Sequence, residues 1–264
     1  MGAIFSRIEH SRTADEVVEQ IESLILEGVL RVGDRLPGER ELARQFEVSR
    51  PILRSALKDL ESRGLLVTRH GGGTHVGDVI GQVFTKPVAE LIVTHPKATT
   101  DYLEYRREIE AITADYAARR ATADDLALLE RIVARMEASH AAGDFEQEAI
   151  VDVEFHGALG ECAHNIVLLH TLRSCYRLLS DGMFHSRLLI YHLPGVRDEL
   201  LTQHKTIHRA VAGRDPERAR RAATDHIDYV AKAMAEAERT GEWQRVSRLR
   251  LTQRSEGKRV KANA

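Results

Sequence analysis

Apolar residues follow a helical spacing along most of the chain, and the pattern of a hairpin interrupts it once near the N-terminus. Near the N-terminus, apolar residues recur every three or four positions in three stretches, which predicts three helices. These stretches are Thr13–Leu26, Glu39–Phe46 and Ser49–Arg63. A glycine triplet, Gly71–Gly73, lies between two short alternating stretches and predicts a β-hairpin. Two helices joined by a short turn at Glu47–Val48 and followed by a hairpin predict a winged helix-turn-helix.

From Thr100 onward the helical spacing continues and no strand pattern is convincing. The predicted helices are Asp101–Ala121, Ala123–Ala142, Asp144–Cys162, Ile166–Ile190, Val196–Ala212 and Pro216–Arg239. We therefore expect a mainly α protein whose C-terminal part is an all-α antiparallel bundle of six to seven helices. The expected segments are a winged helix-turn-helix at 1–76, a linker with a short connecting helix at 77–98, the bundle at 99–240 and a disordered basic tail at 241–264.

Composition narrows the class of protein. The chain has 264 residues, of which 43% are apolar and 30% charged, as in a globular protein. No apolar run reaches the roughly 18 residues of a membrane span, and no secretion signal is evident, so we expect a cytoplasmic protein with no membrane partner. The two cysteines, Cys162 and Cys175, are interpreted as buried apolar residues rather than a disulfide or a metal pair.

The net charge of the whole chain differs in sign from the charge of residues 48–76. The net charge is −2, which is unusual for a non-specific nucleic-acid binder. Between Val48 and Val76, however, the sequence contains five lysines and arginines and only two acidic residues. A small positive patch in an acidic protein is compatible with a sequence-specific contact made by a homodimer on pseudo-palindromic double-stranded operator DNA.

The recognition helix and the hairpin supply the candidate DNA contacts. Arginine suits guanine because its fork matches two acceptors in the major groove, and a helix N-terminus reaches base edges there. Arg50 and Arg54 are the best readers, while the other candidates are Arg40, Ser49, His70, Gly71, Gly72 and Gly73. The alternative is a solvated cationic helix face, but the combination of helices, turn and glycine hairpin favours DNA.

A second constellation is typical of a metal site. Asp152 and His156 are four residues apart, so they share one helix face. His204 and His226 fall in the last two predicted helices, and together the four side chains suit zinc, with nickel or manganese as alternatives. His208 lies one turn beyond His204 and could replace it. The alternative is that these are ordinary buried or exposed histidines, since the chain has 13.

Two stretches carry a family resemblance. LPGERELARQFEVSRPILRSALKDLESRGLL resembles the DNA-binding domain of the GntR family of bacterial transcription regulators. DVEFHGAL and QHKTIHRAVAGRDPERARRAATDHI resemble the FCD effector domain of its FadR-type branch. The resemblance implies that Arg40, Arg50, Arg54 and the wing glycines contact operator DNA, and that Asp152, His156, His204 and His226 bind a divalent ion.

The resemblance also implies an effector. An arginine at the place of Arg106 faces the family's cavity and pairs with a carboxylate of the effector; the alternative is an internal salt bridge to Glu110, four residues on. The chain looks closest to pyruvate- and lactate-responsive regulators, which implies pyruvate, lactate or glycolate and a repressor rather than an enzyme. The alternatives are a metal-dependent hydrolase and a regulator that senses the metal ion itself.

Overall fold

The computed structural model describes residues 13–69, 71–78, 86–178 and 190–262 of the chain. The chain divides into two compact units, one formed by residues 1–83 with 164–170 and the other by the remainder. Within the described ranges, no helix combines the length and the apolar character that crossing a membrane requires.

The N-terminal unit contains the three predicted helices. They are α1 (Ala14–Leu26), α2 (Glu39–Phe46) and α3 (Arg50–Ser62). Thr13 caps α1 with a capping box. Its side chain accepts from the Glu16 backbone N–H, and the Glu16 carboxylate accepts from the Thr13 backbone N–H. The turn between α2 and α3 is made by Glu47, whose φ of 54° is left-handed and ends α2 after Phe46. The apolar stripes of the three helices, including Ile21, Leu42 and Leu53, form one buried core.

The predicted hairpin follows α3 as strands β1 (Leu66–Arg69) and β2 (Gly73–Val76). They pair antiparallel with Leu66 opposite Val76 and Arg69 opposite Gly73. Leu66 and Val76 are buried in the same core as the helices, which fixes the base of the wing. Gly71 and Gly73 have φ values of 73° and 86°, a left-handed conformation that glycine adopts without steric cost.

Seven helices form the described part of the C-terminal unit. They are α4 (Lys86–Thr94), α5 (Pro96–Arg120), α6 (Ala123–Ala142), α7 (Phe145–Cys162), α8 (Ile166–Leu178), α9 (Val196–Ala212) and α10 (Pro216–Ala262). Helix α5 is central, because it packs against α4, α7, α9 and most extensively α10. Its alanines at 111, 114, 117 and 118 are buried, and their small side chains allow close helix packing.

A layer of buried polar residues lies within this apolar unit. Arg106, Glu110, Asp152, His156, His204 and His226 are each no more than 4% exposed. Burying polar and charged groups is costly unless they are hydrogen-bonded, ion-paired or bound to a metal. The composition of this layer therefore calls for a specific network or a ligand.

Two expectations about helix limits are corrected. Helix α5 starts at Pro96 rather than Asp101, because Pro96 lies in the first turn, where a missing N–H costs nothing. The tail expected to be disordered continues α10 as helix to Ala262. Its arginine, leucine, glutamate and glutamine content favours helix, and a single glycine such as Gly241 costs only about 1 kcal/mol. Residues 179–189, expected as helix, lie outside the described residues.

Candidate DNA-binding surface and metal centre

Arg50 and Arg54 lie together at the N-terminal end of α3. Their side chains are 59% and 61% exposed, and both approach Glu39, with Arg54 Nε 2.8 Å and Arg50 Nη2 3.8 Å from the same carboxylate oxygen. Ser49 occupies the N-cap position without a side-chain capping bond. This end of a helix presents backbone N–H groups and the positive end of the helix dipole, so the surface suits phosphate oxygens and base edges.

The remaining candidate DNA contacts lie on α2 and the wing. Arg40 is exposed near the start of α2. A β-carbon on Gly73 would lie 3.0 Å from Nε of Arg35, so a side chain at this position would require the Arg35 guanidinium to shift. Residue 35 forms an isolated β-bridge to His75, which adds a cation to the wing that the sequence pattern did not single out. His70, a predicted contact, lies outside the described residues.

The structure brings the three predicted histidines together. His156 comes from α7, His204 from α9 and His226 from α10, and one ring nitrogen of each lies within 4.8 Å of the others. The Nε2 atoms of His156 and His204 are 3.2 Å apart. Three imidazoles that converge in this way match the donor set of a zinc or similar divalent site.

Asp152 lies beside the histidine cluster, one turn before His156 on α7. Its Oδ1 is 3.2 Å from Nε2 of His204, and its Oδ2 is 3.9 Å from Nε2 of His156. His208, the alternative to His204, is not part of the cluster. The arrangement therefore assembles one carboxylate and three imidazoles at the positions chosen from the sequence.

The other nitrogen of each imidazole is held by a separate group. Nδ1 of His204 lies 2.7 Å from the Leu200 carbonyl oxygen, and Nδ1 of His226 lies 3.1 Å from Oε1 of Gln203. Nδ1 of His156 lies 2.7 Å from Oε2 of Glu110. Each acceptor favours a proton on Nδ1, and this leaves the Nε2 lone pair directed into the cluster, as in metal sites whose ligands are oriented by outer partners.

Glu110 links the cluster to Arg106. Nε of Arg106 donates to Oε1 of Glu110 at 2.5 Å, which is the internal salt bridge that their spacing offered as the alternative to effector contact. The Arg106 Nη2 and the Glu110 carboxylate also contact the Tyr176 hydroxyl. A fully buried ion pair of this kind is tolerated because the Tyr176 hydroxyl accepts from Arg106 and donates to Glu110.

Burial favours the neutral form of two of the three imidazoles, His156 and His226. Burial lowers the pKa of His156, and Glu110 offsets that effect only in part. Burial, together with His204 and His156, lowers the pKa of His226 well below its usual value. Burial opposes ionisation of Glu110, but Arg106 and then His156 outweigh it and lower the pKa of Glu110 far below its usual value. A metal ion binds the neutral form of a histidine, so the lowered pKa values of His156 and His226 favour metal binding.

One buried atom supports a ligand at this place. Nε2 of His226 is fully buried and has no hydrogen-bond partner among the described residues. An unsatisfied buried acceptor costs about 1–3 kcal/mol, and a bound cation would remove that cost. The cluster of His156, His204 and His226 could therefore hold a metal ion.

Part of this network was not evident from the sequence. Gln203, Tyr176 and the Leu200 carbonyl carry no spacing signal, since each meets its partner through tertiary packing. Glu110 was considered only as a salt-bridge partner of Arg106, and its contact with His156 could not be inferred. A small cleft, partly open to solvent, is lined by Asp152, His204, Tyr191 and Arg197 among others.

Two family models match the chain. The model described as "Bacterial regulatory proteins, gntR family" matches residues 13–76, which contain α1 to α3 and the wing. The model described as "FCD domain" matches residues 101–229, which contain the whole histidine cluster.

Individual proteins give the same picture. The chain is 39% identical over 227 residues to the "Putative L-lactate dehydrogenase operon regulatory protein" of Escherichia coli, covering 84% of this chain and 86% of that protein. It is 34% identical to the "Glc operon transcriptional activator" of the same species, covering 88% and 93%. The solved structure "Streptococcus agalactiae GntR" is 29% identical with a TM-score of 0.52, covering 83% of this chain and 99% of that one.

Proposed function

This chain belongs to the GntR family of bacterial regulatory proteins and carries an FCD domain, and we propose that it is a homodimeric repressor controlled by a small carboxylate bound at a metal centre. That it is a DNA-binding transcription regulator follows from the family, whose members reported above are named as regulators of operons. The proposal concerns what the FCD unit binds and how the signal reaches DNA.

The observation that carries the metal centre is the shared orientation of three imidazoles. Each Nδ1 is held by Glu110, Leu200 or Gln203, so each Nε2 faces one point beside Asp152. We assign the ion-holding role to Asp152, His156, His204 and His226, with zinc as the first choice and nickel or manganese as alternatives. A bound ion would supply a Lewis acid to which the carboxylate and adjacent oxygen of a 2-hydroxy or 2-oxo acid bind.

The effector class rests on the relatives and on charge. One relative is named for an L-lactate dehydrogenase operon and another for a Glc operon, so we propose lactate, glycolate or pyruvate. Arg106 remains the proposed partner of the effector carboxylate. Its Nε contacts Glu110 and its Nη2 contacts Tyr176, so Nη1 is the nitrogen that we assign to the effector.

On the N-terminal unit, we assign contacts with bases and phosphates to Arg50 and Arg54. We assign contacts with the phosphate backbone of the DNA to Ser49 and Arg40. Wing contacts are assigned to residues 70–73. Two such surfaces in a homodimer would read the two halves of a pseudo-palindromic operator.

The decisive experiment compares metal-loaded and chelator-treated protein. Duplexes that the protein selects from a random-sequence pool serve as operator, and thermal shift and operator affinity are measured with lactate, glycolate, pyruvate and citrate. We expect one of the first three acids to raise the melting temperature of the metal-loaded form only, and to weaken operator binding. Release of DNA by chelation alone, with no response to any acid, would show that the metal is the signal.

The repressor role needs a separate readout. A reporter gene placed behind the selected operator should be silent with the protein present and active when the effector is added. Expression that rises only when the protein is present would instead make it an activator.

A further inference from the structure

Helix α10 is exposed in its part from Gly241 to Leu251. From Gly241 to Leu251 every residue is exposed except the half-buried Val246, and Trp243, Leu249 and Leu251 are 62%, 58% and 68% exposed. A helix that buries no face gains no packing energy, and short isolated helices are only marginally stable in water. Such a helix is typical of a segment whose binding partner is another molecule.

Charge identifies that partner. Residues 241–264 contain seven lysines and arginines against two glutamates, whereas residues 1–240 contain 31 against 38. The C-terminal end of the chain therefore carries a net charge of +5, whereas residues 1–240 carry −7. The partner of such a segment is a polyanion, and the family function provides one, since the protein binds DNA.

Helical spacing places much of that charge on one face. Arg250, Arg254, Lys258 and Lys261 follow one another at intervals of four, four and three positions, which is the spacing of a single helix face. Trp243 lies seven positions before Arg250 and belongs to the same face. At about 1.5 Å per residue, the four cations extend over about 16 Å, enough to follow several phosphates of one strand.

We infer that residues 241–262 form a second DNA contact, which binds the phosphate backbone without reading sequence. It is independent of the helix-turn-helix and is not a part of the metal centre. Its role is to raise the DNA affinity of the winged helix-turn-helix (the reading head), in which residues 48–76 carry only a small positive excess. Phosphate contacts of this kind release condensed counterions, so they make binding depend on salt rather than on sequence.

The test compares three full-length proteins on a duplex of mixed sequence. The first is the wild type. In the second, the basic face is neutralised as R250Q/R254Q/K258Q/K261Q. The third is a control with the same change of charge at four exposed arginines elsewhere, R131Q/R209Q/R218Q/R221Q. Glutamine is a good helix former, and circular dichroism verifies that helix content is kept.

We expect the basic-face variant to bind at least about ten-fold more weakly at about 0.1 M salt. Its plot of log affinity against log salt should be shallower by about 2 or more, because each phosphate contact contributes about 0.9. The control variant should bind like the wild type. The variant R250K/R254K, which keeps all four charges, should bind like the wild type, since a phosphate contact needs charge rather than a guanidinium fork.

Trp243 is the only tryptophan of the chain and provides a direct signal. Its fluorescence should change when DNA is added to the wild type and to the control, and not with the basic-face variant. Equal DNA affinity of all three proteins would overturn the inference. So would a Trp243 response to vesicles of anionic lipid in the absence of any response to DNA, because the polyanion would then be a membrane surface.

Discussion

Replacement of His226 by leucine separates a metal ligand from an ordinary core histidine. In the metal-free protein, Nε2 of His226 is buried without a partner, at a cost of about 1–3 kcal/mol. Leucine removes that cost and loses the bond from Nδ1 to Gln203, worth about 1 kcal/mol, and the partly exposed Gln203 amide can then turn to water. We therefore expect His226→Leu to leave the metal-free protein equally stable or to stabilise it by up to about 2 kcal/mol.

The metal-loaded protein should respond in the opposite direction. At a free metal concentration about 100 to 1,000 times the Kd, binding stabilises the wild type by about 2.7 to 4.1 kcal/mol. For a domain of this size, that corresponds to a rise in Tm of about 5–15 °C. The variant should lose most of this gain because it lacks one of the four ligands.

The assay is the Tm of the helical unit with zinc and after chelation. His208→Leu is the matched control, since His208 lies on the same helix as His204 but outside the cluster. It should keep the full zinc response. The reasoning would be refuted if zinc stabilised His226→Leu as much as the wild type, or if the variant destabilised the metal-free protein by more than about 2 kcal/mol, as expected for a structural histidine.

Three further predictions test the network, the reading head and the protonation states. Glu110→Gln should lower metal affinity about 10- to 100-fold in a metal titration; it should also destabilise the fold by about 3–5 kcal/mol because Arg106 stays buried without its counter-charge. The double variant Arg106→Gln with Glu110→Gln should regain stability but not affinity, and recovery of both would contradict the role given to Glu110. Arg50→Ala or Arg54→Ala should abolish operator binding in a mobility-shift assay while the dimer persists, whereas Arg63→Ala, at the far end of α3, should bind normally. Because burial lowers the pKa of two cluster histidines, the unfolded chain takes up protons first as the pH falls; the metal-free protein should hold its full stability above about pH 6.5 and lose about 1.4 kcal/mol per pH unit per histidine below it. A Tm that stays constant from pH 7 to pH 5 would argue against buried neutral histidines.

Local patterns in the sequence were sufficient for the fold class. The reading head follows from the apolar spacing of three helices, a turn that closes at Glu47 and a glycine triplet, and each of these acts within a few residues. The same holds for Asp152 and His156, whose spacing of four places them on one face of α7. The choice of His204 and His226 among 13 histidines stays open on the residues alone and is favoured by the family resemblance, because nothing local connects three different helices.

The contacts that orient the metal ligands depend on packing and could not be read from spacing. Tyr176 reaches Glu110 across 66 positions, and Gln203 reaches His226 across 23. The register of one helix against another decides such meetings, and it is set by the volumes of many apolar side chains together. The helix in the C-terminal tail differs from the expected disorder for another reason, since a basic composition does not exclude helix when its residues are good helix formers.

The layout of the cluster bears on how an effector could act. Its four proposed ligands come from α7, α9 and α10, and Glu110, which contacts His156, comes from α5. Displacement of one ligand would therefore affect the packing of four helices. A carboxylate that displaced or reoriented any of them would favour one packing of these helices over another. The effector can weaken operator binding only by the ratio of its affinities for the two packings, and a 100-fold effect requires about 2.7 kcal/mol. Exchange of a single buried hydrogen bond to a charged group, worth about 1.5–3 kcal/mol, is of that size. The contact between Arg106 and Glu110 is a bond of this kind, and we therefore expect the response to the effector to depend on it more than on any apolar contact in the unit.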